Sequence, residues 1–172
     1  VNPDPAISIS GAQTFCVSGT ATLSSTVSGG TGTNTIQWES SSDNITFNPI
    51  SGANGSTYTA TGVSATTYFR ATYSSTGNGC GTATSNVVTV TIQPAIANNT
   101  IDPYQKFCLN GDPIIINGGA VTGGNGSYTY VWEQSTNGGV TWTAASGTNN
   151  QATYDPPFTS STIRYRRVVT SG

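Results

Sequence analysis

The stretch Ile36-Gln37-Trp38-Glu39 alternates apolar and polar side chains, and it returns 94 residues later as Tyr130-Val131-Trp132-Glu133. A period of two predicts a β-strand with one face in a core. In a small β-sandwich, a tryptophan in the middle of such a strand typically lies at the centre of that core. We therefore predict that Trp38 and Trp132 are core residues, one in each of two modules.

The duplication continues on both sides of these strands. In chain order, the further matches are Phe15-Cys16 with Phe107-Cys108, Gly30-Thr31-Gly32 with Gly124-Asn125-Gly126, Tyr58 with Tyr154, and Tyr68-Phe69-Arg70 with Arg164-Tyr165-Arg166. The offset drifts only from 92 to 96, as expected if insertions fall in loops. A repeated unit of roughly ninety residues has the size of an immunoglobulin-like domain.

We accordingly predict an all-β chain of two tandem immunoglobulin-like antiparallel β-sandwiches, module one at residues 1–94 and module two at residues 95–172. In module one, turn signals rich in Gly, Asn, Asp and Ser separate seven candidate strands. These strands are 6–10, 20–27, 34–40, 45–48, 56–61, 66–74 and 85–92. Pro94 ends the last of them because proline has no N–H to donate to a sheet.

The composition excludes several classes of function. Charged residues make up only 7 % of the chain and the net charge is −2, which is too weak a balance to attract nucleic acid or an anionic membrane. No apolar run is long enough to insert into a bilayer. The chain has no histidine, the residue most often used for general-base catalysis and the commonest ligand of zinc and copper.

The carboxylates do not form a recognisable site. Glu39 and Glu133 occupy equivalent places after the two tryptophans, so duplication explains them better than the paired carboxylates of a glycosidase would. The other acidic residues are too scattered for a calcium loop. We expect no catalytic residue, no metal and no cofactor, and we predict that the chain is not an enzyme.

The repeated motifs resemble the immunoglobulin-like and PKD-like repeats of large Bacteroidota surface proteins, above all those of gliding adhesins exported by type IX secretion. The motifs that carry the resemblance are Cys16-Val17-Ser18-Gly19, Gly29-Gly30-Thr31-Gly32, Tyr68-Phe69-Arg70 and Cys80-Gly81, with Cys108-Leu109-Asn110-Gly111 and Gly139-Val140-Thr141-Trp142 in module two. The resemblance implies a secreted protein on the cell surface, attached to the outer membrane through other parts of its chain.

In that oxidising setting, an odd number of cysteines leaves one over. We predict a Cys16–Cys80 disulfide within module one, and an unpaired Cys108 whose partner would fall just beyond Gly172, so that module two is cut before its last strand. Three free buried thiols are the competing interpretation. Donation of the missing strand by another chain is the alternative to truncation.

Trp142 and the arginines are the remaining surface features of the sequence. Trp142 follows the hairpin signal Asn137-Gly138-Gly139 and is a weak ligand candidate, with packing over a sheet edge as the favoured role. Arg70 and Arg166 are repeat-equivalent, and Arg167 points to the opposite face of its strand from Arg164 and Arg166. We expect these arginines to cap the sheet or to pair with nearby carboxylates.

The favoured function is therefore a repeat segment of a secreted adhesin or fibre, a rigid spacer or adhesive stalk in gliding or surface attachment. Its partners would be neighbouring repeats of the same long chain, with surface glycans or other cell-surface proteins as further partners. One alternative is an accessory or carbohydrate-binding module of a secreted polysaccharide-degrading enzyme, which requires exposed aromatic side chains on one face. The other is a filament subunit that exchanges strands.

Overall fold

The chain divides into two compact units, each with its own sheets and its own core. The computed structural model describes residues 3–77 and 81–172. Unit 1 spans Val1–Gln93 and unit 2 spans Pro94–Gly172, a boundary one residue before the predicted one. All regular secondary structure among the described residues is β-strand, so the chain is all-β.

Twelve strands follow one another along the chain. They are β1 (Ala6–Ser10), β2 (Gln13–Cys16), β3 (Gly19–Ser28), β4 (Asn34–Ser41), β5 (Asn48–Pro49), β6 (Thr57–Val63), β7 (Thr67–Ser75), β8 (Thr82–Thr84), β9 (Val88–Gln93), β10 (Tyr128–Ser135), β11 (Thr143–Ala144) and β12 (Arg164–Ser171). The first nine belong to unit 1 and the last three to unit 2.

Unit 1 is a sandwich of two sheets. One sheet has the order β1-β3-β6, and the other has the order β2-β9-β7-β4-β5 with β8 paired to β7. Every pairing is antiparallel except that of β2 with β9, which is parallel. The inward side chains of both sheets form the core: Ile9, Ala21, Leu23, Trp38, Ala53, Ala60, Phe69, Ala71, Val88 and Val90. This arrangement is the expected immunoglobulin-like sandwich.

The strands of unit 1 differ from the predicted ones in three places. The strand β2 was not predicted, because its four residues pair only with β9, far along the sequence. The strand predicted at 45–48 is reduced to β5, because the Asp43 carboxylate accepts the N–H groups of Ile45 and Thr46 and ties them into a turn. The strand predicted at 85–92 is shortened to β9, and β8, which lies before that range, was not predicted.

Asn86 lies at the break between β8 and β9. Its side-chain Oδ1 accepts the N–H of Ile9 at 2.9 Å, and its Nδ2 donates to the Ile9 carbonyl at 3.0 Å. The side-chain amide thus forms the two hydrogen bonds that the backbone of a neighbouring strand would form. It joins β1, in the first sheet, to the edge of the second sheet. Asparagine can do this because its side chain carries both a donor and an acceptor.

Unit 2 repeats the pattern with less regular pairing. Its larger sheet has the order β11-β10-β12. Opposite it, four isolated bridges stand where unit 1 has β1, β3 and β6: Ala97 with Thr122, Ile101 with Gly118, Gly111 with Thr159, and Ile116 with Tyr154. The core is small, with Trp132, Ala145 and Tyr154 as its buried apolar residues. No described strand of unit 2 is equivalent to β9.

The glycine turn before the tryptophan strand is also repeated in three dimensions. Gly30 and Gly124 both have positive φ, at 77° and 58°, which glycine adopts without the steric cost of a Cβ. Their N–H groups donate to the carbonyls of Pro3 and Pro94 respectively. The turn therefore holds the first residues of each unit against the start of its tryptophan strand.

Candidate functional site

The two tryptophans of the repeat are fully buried and are no part of a ligand surface. Trp38 and Trp132 are both 0 % exposed. Each indole N–H donates to a backbone carbonyl at 2.9 Å, that of Gly55 for Trp38 and that of Gln151 for Trp132. A buried indole needs such a partner, so the bonds fix the rings in their cores.

The outer face of the tryptophan strand in unit 1 carries a stacked group of three side chains. Arg70 Nε donates to Glu39 Oε2 at 2.6 Å, and the Arg70 guanidinium lies 4.1 Å from the centre of the Phe47 ring. The arginine is thus held between a carboxylate and an aromatic face, by an ion pair and a cation–π contact.

Unit 2 repeats this group with one change. Arg166 Nε donates to Glu133 Oε2 at 2.6 Å, and its guanidinium lies 4.4 Å from the centre of the Trp142 ring. The Trp142 indole N–H donates to the Gly139 carbonyl at 3.0 Å. The half-buried ring of Trp142 therefore has one face against Arg166 and its polar edge engaged, which favours the packing role over ligand stacking. Arg70 and Arg166 both pair with carboxylates, as expected.

An open groove of about 750 Å³ lies in unit 2 next to Trp142. One wall is the segment 101–110, and the other is formed by residues at the start of β12, including Ile163, Arg164 and Tyr165. Several apolar side chains of the first wall are poorly covered: Tyr104 is 89 %, Phe107 41 % and Leu109 90 % exposed. Exposed apolar groups gathered at one place mark an interaction surface.

Tyr165 projects into unit 2 with a hydroxyl that is buried yet has no hydrogen-bond partner among the described residues. Burial raises the pKa of Tyr165 above its ordinary value of 10.0, with a further contribution from Tyr154. Unit 1 has Phe69 at the equivalent place, which has no hydroxyl to satisfy. The repeat therefore gives no reason to expect a hydroxyl without a partner at this place. The Tyr165 hydroxyl leaves the hydrogen bonding on the groove side of the unit 2 core incomplete among the described residues.

The cysteines do not form a described site. Cys16 and Cys108 are both exposed. The predicted Cys16–Cys80 disulfide involves a residue outside the described ones, so the pairing stays a prediction.

Sequence reasoning missed the most unusual buried residue, Arg167, which is 6 % exposed. Its Nε donates to Asn99 Oδ1, its Nη1 to the Ala152 carbonyl and its Nη2 to the Gly119 carbonyl, at 2.8 to 2.9 Å. No carboxylate pairs with it among the described residues. A signal was present, since Arg167 is equivalent to Ala71 and so points inward.

The pKa of the Asp43 carboxylate lies well below its ordinary value. Hydrogen bonds to Oδ1 from the N–H of Thr46, the N–H of Ile45 and the Ser41 hydroxyl lower this pKa from 3.8 to about 2. Unit 2 has Asn137 at the equivalent place, and its Oδ1 likewise accepts from Ser135 and Thr141. In both turns a side-chain oxygen accepts hydrogen bonds from a serine hydroxyl and a backbone N–H, but only the group in unit 1 is a carboxylate that can titrate.

We predict that this difference gives unit 1 an acid-sensitive turn. Since the folded pKa lies below the unfolded one, the stabilisation is full above about pH 4 and is lost as the pH falls through about 2. Asp43→Asn should therefore flatten the acid dependence of amide exchange in β4 and β7. The matched variant Asn137→Asp should create such a dependence in β10. An unchanged acid profile in Asp43→Asn would contradict the assignment.

The described residues contain no group of three or more Asp, Glu or Cys side chains that could hold a metal ion. Among them there is also no helix with the length and apolar character needed to cross a membrane.

The comparisons with known proteins agree with the internal duplication. A search among curated proteins finds no match. A family described as "Domain of unknown function (DUF8696)" matches the chain twice, over residues 5–94 and 97–172. Each match coincides with one structural unit, and together they cover nearly the whole chain. The chain therefore belongs to this family of domains of unknown function and consists of two consecutive copies of its domain.

Proposed function

We propose that this chain is a repeat segment of a large secreted cell-surface adhesin or fibre, in which each domain serves as a spacer of the stalk. The proposal rests on the features that the two units share. They share a buried tryptophan with its carbonyl partner, a glycine turn and an outer-face ion pair. All three are features of folding and packing.

A surface position that differs between the two units also supports the spacer role. At the outer-face stack, unit 1 has Phe47 and unit 2 has Trp142, while the arginine and the carboxylate are the same. A repeated binding site would retain its contact residue, whereas a repeated packing site needs only an aromatic face. The stack therefore supports a structural repeat better than a repeated ligand site.

The proposal places the chain outside the cell, attached to the outer membrane through other parts of the protein, with neighbouring repeats as its first partners. The chain has few charged residues and is rich in Ser, Thr and Asn, so hydroxyls and amides would be the polar groups that solvate the stalk. The carbohydrate-binding alternative depends on Trp142, whose ring has one face against Arg166 and its indole N–H bonded to the Gly139 carbonyl. The stalk is the better supported function.

Single-molecule stretching of the 172-residue chain tests the spacer role. The two domains should unfold in two separate steps, and under reducing conditions unit 1 should release roughly 300 Å of chain at about 3.5 Å per residue. In the control variant Trp132→Ala, the step of unit 2 should be lost and that of unit 1 retained. One merged step, or extension without a measurable unfolding force, would refute the proposal. A step for unit 1 that lengthens on adding reductant would reveal a disulfide there.

A further inference from the structure

We propose that the parallel pair of β2 and β9 is the contact of unit 1 that resists mechanical tension, because tension along the chain loads all of its hydrogen bonds together. The inference deepens the spacer role and rests on it, since a stalk is pulled from both ends. It goes further by naming the contact that bears the load. The pair joins Gln13–Cys16 to Val90–Gln93.

The two strands of this pair are the ones that lead out of unit 1. β2 is connected towards the amino terminus through β1, and β9 ends at Gln93, directly before Pro94 and unit 2. Because the pairing is parallel, with Gln13 opposite Val90 and Cys16 opposite Gln93, the two points at which the chain is pulled lie at opposite ends of the pair. Tension therefore slides the strands along each other, and the evenly spaced hydrogen bonds of a parallel pair share the load.

The end of β9 depends on this pair more than on any other contact. β9 pairs with β7 only as far as Val90, and the rest of β9 pairs with β2 alone among the described strands. One further bond runs from the Ile92 N–H to the Thr66 hydroxyl oxygen at 3.1 Å. The Val17 N–H extends the pair by donating to the Gln93 carbonyl at 2.8 Å. The pair thus holds the last residue of the unit, where the pull from unit 2 arrives first.

The strand on the amino-terminal side, β1, is also loaded along its axis. β1 pairs antiparallel with β3. A tight turn at Val17, with φ 68° and a hydrogen bond from the Ser18 N–H to the Cys16 carbonyl at 2.8 Å, turns the chain from β2 back into β3. β1 and β2 therefore run in the same direction, and the Asn86 side chain adds two bonds to the Ile9 backbone of β1. A pull on the amino-terminal side thus passes along β1 to β2 and does not peel either strand from its end.

The direction of pulling tests this inference on a single variant of the full chain. In Cys80→Ser, Cys108→Ser the exposed Cys16 is the one remaining thiol and can carry a handle. Stretching between the amino terminus and Gly172 shears the β2–β9 pair. Stretching between Cys16 and Gly172 opens the pair bond by bond from one end, because Cys16 lies opposite Gln93. We expect the unfolding force of unit 1 to be at least twofold lower in the second geometry, while the force of unit 2 is the same in both.

Two proline variants test the hydrogen bonds of the pair. Because the Val17 N–H points to β9 and successive N–H groups of a strand alternate in direction, the Gln13 N–H also points to β9. The Thr14 N–H points away, to the open edge of the sheet. Proline removes the N–H, so Gln13→Pro should raise the unfolding rate of unit 1 under constant force about fivefold, as expected for the loss of one hydrogen bond. The matched control Thr14→Pro should leave this rate nearly unchanged, since proline is tolerated where the N–H of an edge strand faces solvent.

Equal unfolding forces of unit 1 in the two pulling directions would overturn the inference, as would equal unfolding rates of the two proline variants. The directional test needs no substitution within β9 or at a paired N–H, so it decides the matter even if a proline variant fails to fold. Either negative result can occur while the two domains still unfold in separate steps, and the spacer role then stands without this inference. A single merged step would instead refute the spacer role and this inference together.

Discussion

Replacing Trp132 by alanine is expected to unfold unit 2 while unit 1 remains folded. Trp132 is fully buried, stacks on Tyr154 with ring centres 5.5 Å apart, and is one of only three buried apolar residues of its core. Removing a buried tryptophan side chain typically costs about 3–5 kcal/mol of unfolding free energy. A core this small has little else to offset that loss.

The equivalent variant Trp38→Ala is the matched comparison. It removes the same ring from a core of ten buried residues, so unit 1 should lose about 3–5 kcal/mol yet retain a folded population. Amide exchange separates the two, because β4 and β7 report on unit 1 and β10 and β12 on unit 2. Protected β10 and β12 amides in Trp132→Ala would show that the unit 2 core is larger than its buried residues indicate.

A milder variant separates packing from hydrogen bonding. Trp132→Phe retains an aromatic ring against Tyr154 but removes the indole N–H, which leaves the Gln151 carbonyl without its donor. Losing one hydrogen bond of this kind typically costs about 0.5–1.5 kcal/mol of unfolding free energy. Trp132→Phe should therefore fall between the wild type and Trp132→Ala.

The main lines of this fold could be predicted from the sequence because they depend on local patterns. The period of two around Trp38 and Trp132 indicates which face is buried, and the glycine turns precede both strands. Because the sequence is duplicated, the same interpretation applies to the second unit. The sequence led us to expect that Arg70 caps the sheet or pairs with a carboxylate, and the strand register, which places Glu39 opposite Arg70, identifies that carboxylate.

What could not be predicted depends on contacts between distant parts of the chain. The strand β2 exists only because β9 lies beside it, and Asn86 bonds Ile9 across 77 residues. The groove of unit 2 is a related case. The exposed side chains of the 101–110 segment, which line it, are visible only in three dimensions.

The second large effect concerns the buried guanidinium of Arg167. Burying a cation without a counter-charge is costly unless hydrogen bonds compensate it. Here Asn99, Gly119 and Ala152 supply oxygen acceptors from three separate segments, so the side chain ties these segments to β12. Arg167→Ala should cost unit 2 about 3–5 kcal/mol, through the cavity it creates and the acceptors it leaves unpaired.

Arg167→Met separates these two causes. Methionine fills much of the volume of the arginine stem but donates no hydrogen bond. If the hydrogen bonds matter most, Arg167→Met should destabilise unit 2 nearly as much as Arg167→Ala does. If the charge is mainly a burden, Arg167→Met should equal or exceed the wild type in stability, as replacement of buried ions by apolar residues often does.

Gly118 gives this prediction a test of geometry. A Cβ on Gly118 would lie 1.5 Å from Arg167 Nη1 and 2.7 Å from the Ala152 carbonyl oxygen. Gly118→Ala should therefore displace the guanidinium and destabilise unit 2, and the penalty should shrink in an Arg167→Ala background, where the first clash is gone. A double-mutant cycle read by denaturant unfolding should show coupling of about 1–3 kcal/mol. Additive effects would mean that the guanidinium does not occupy the space beside Gly118, and that the fixed contacts of Arg167 do not hold unit 2 together.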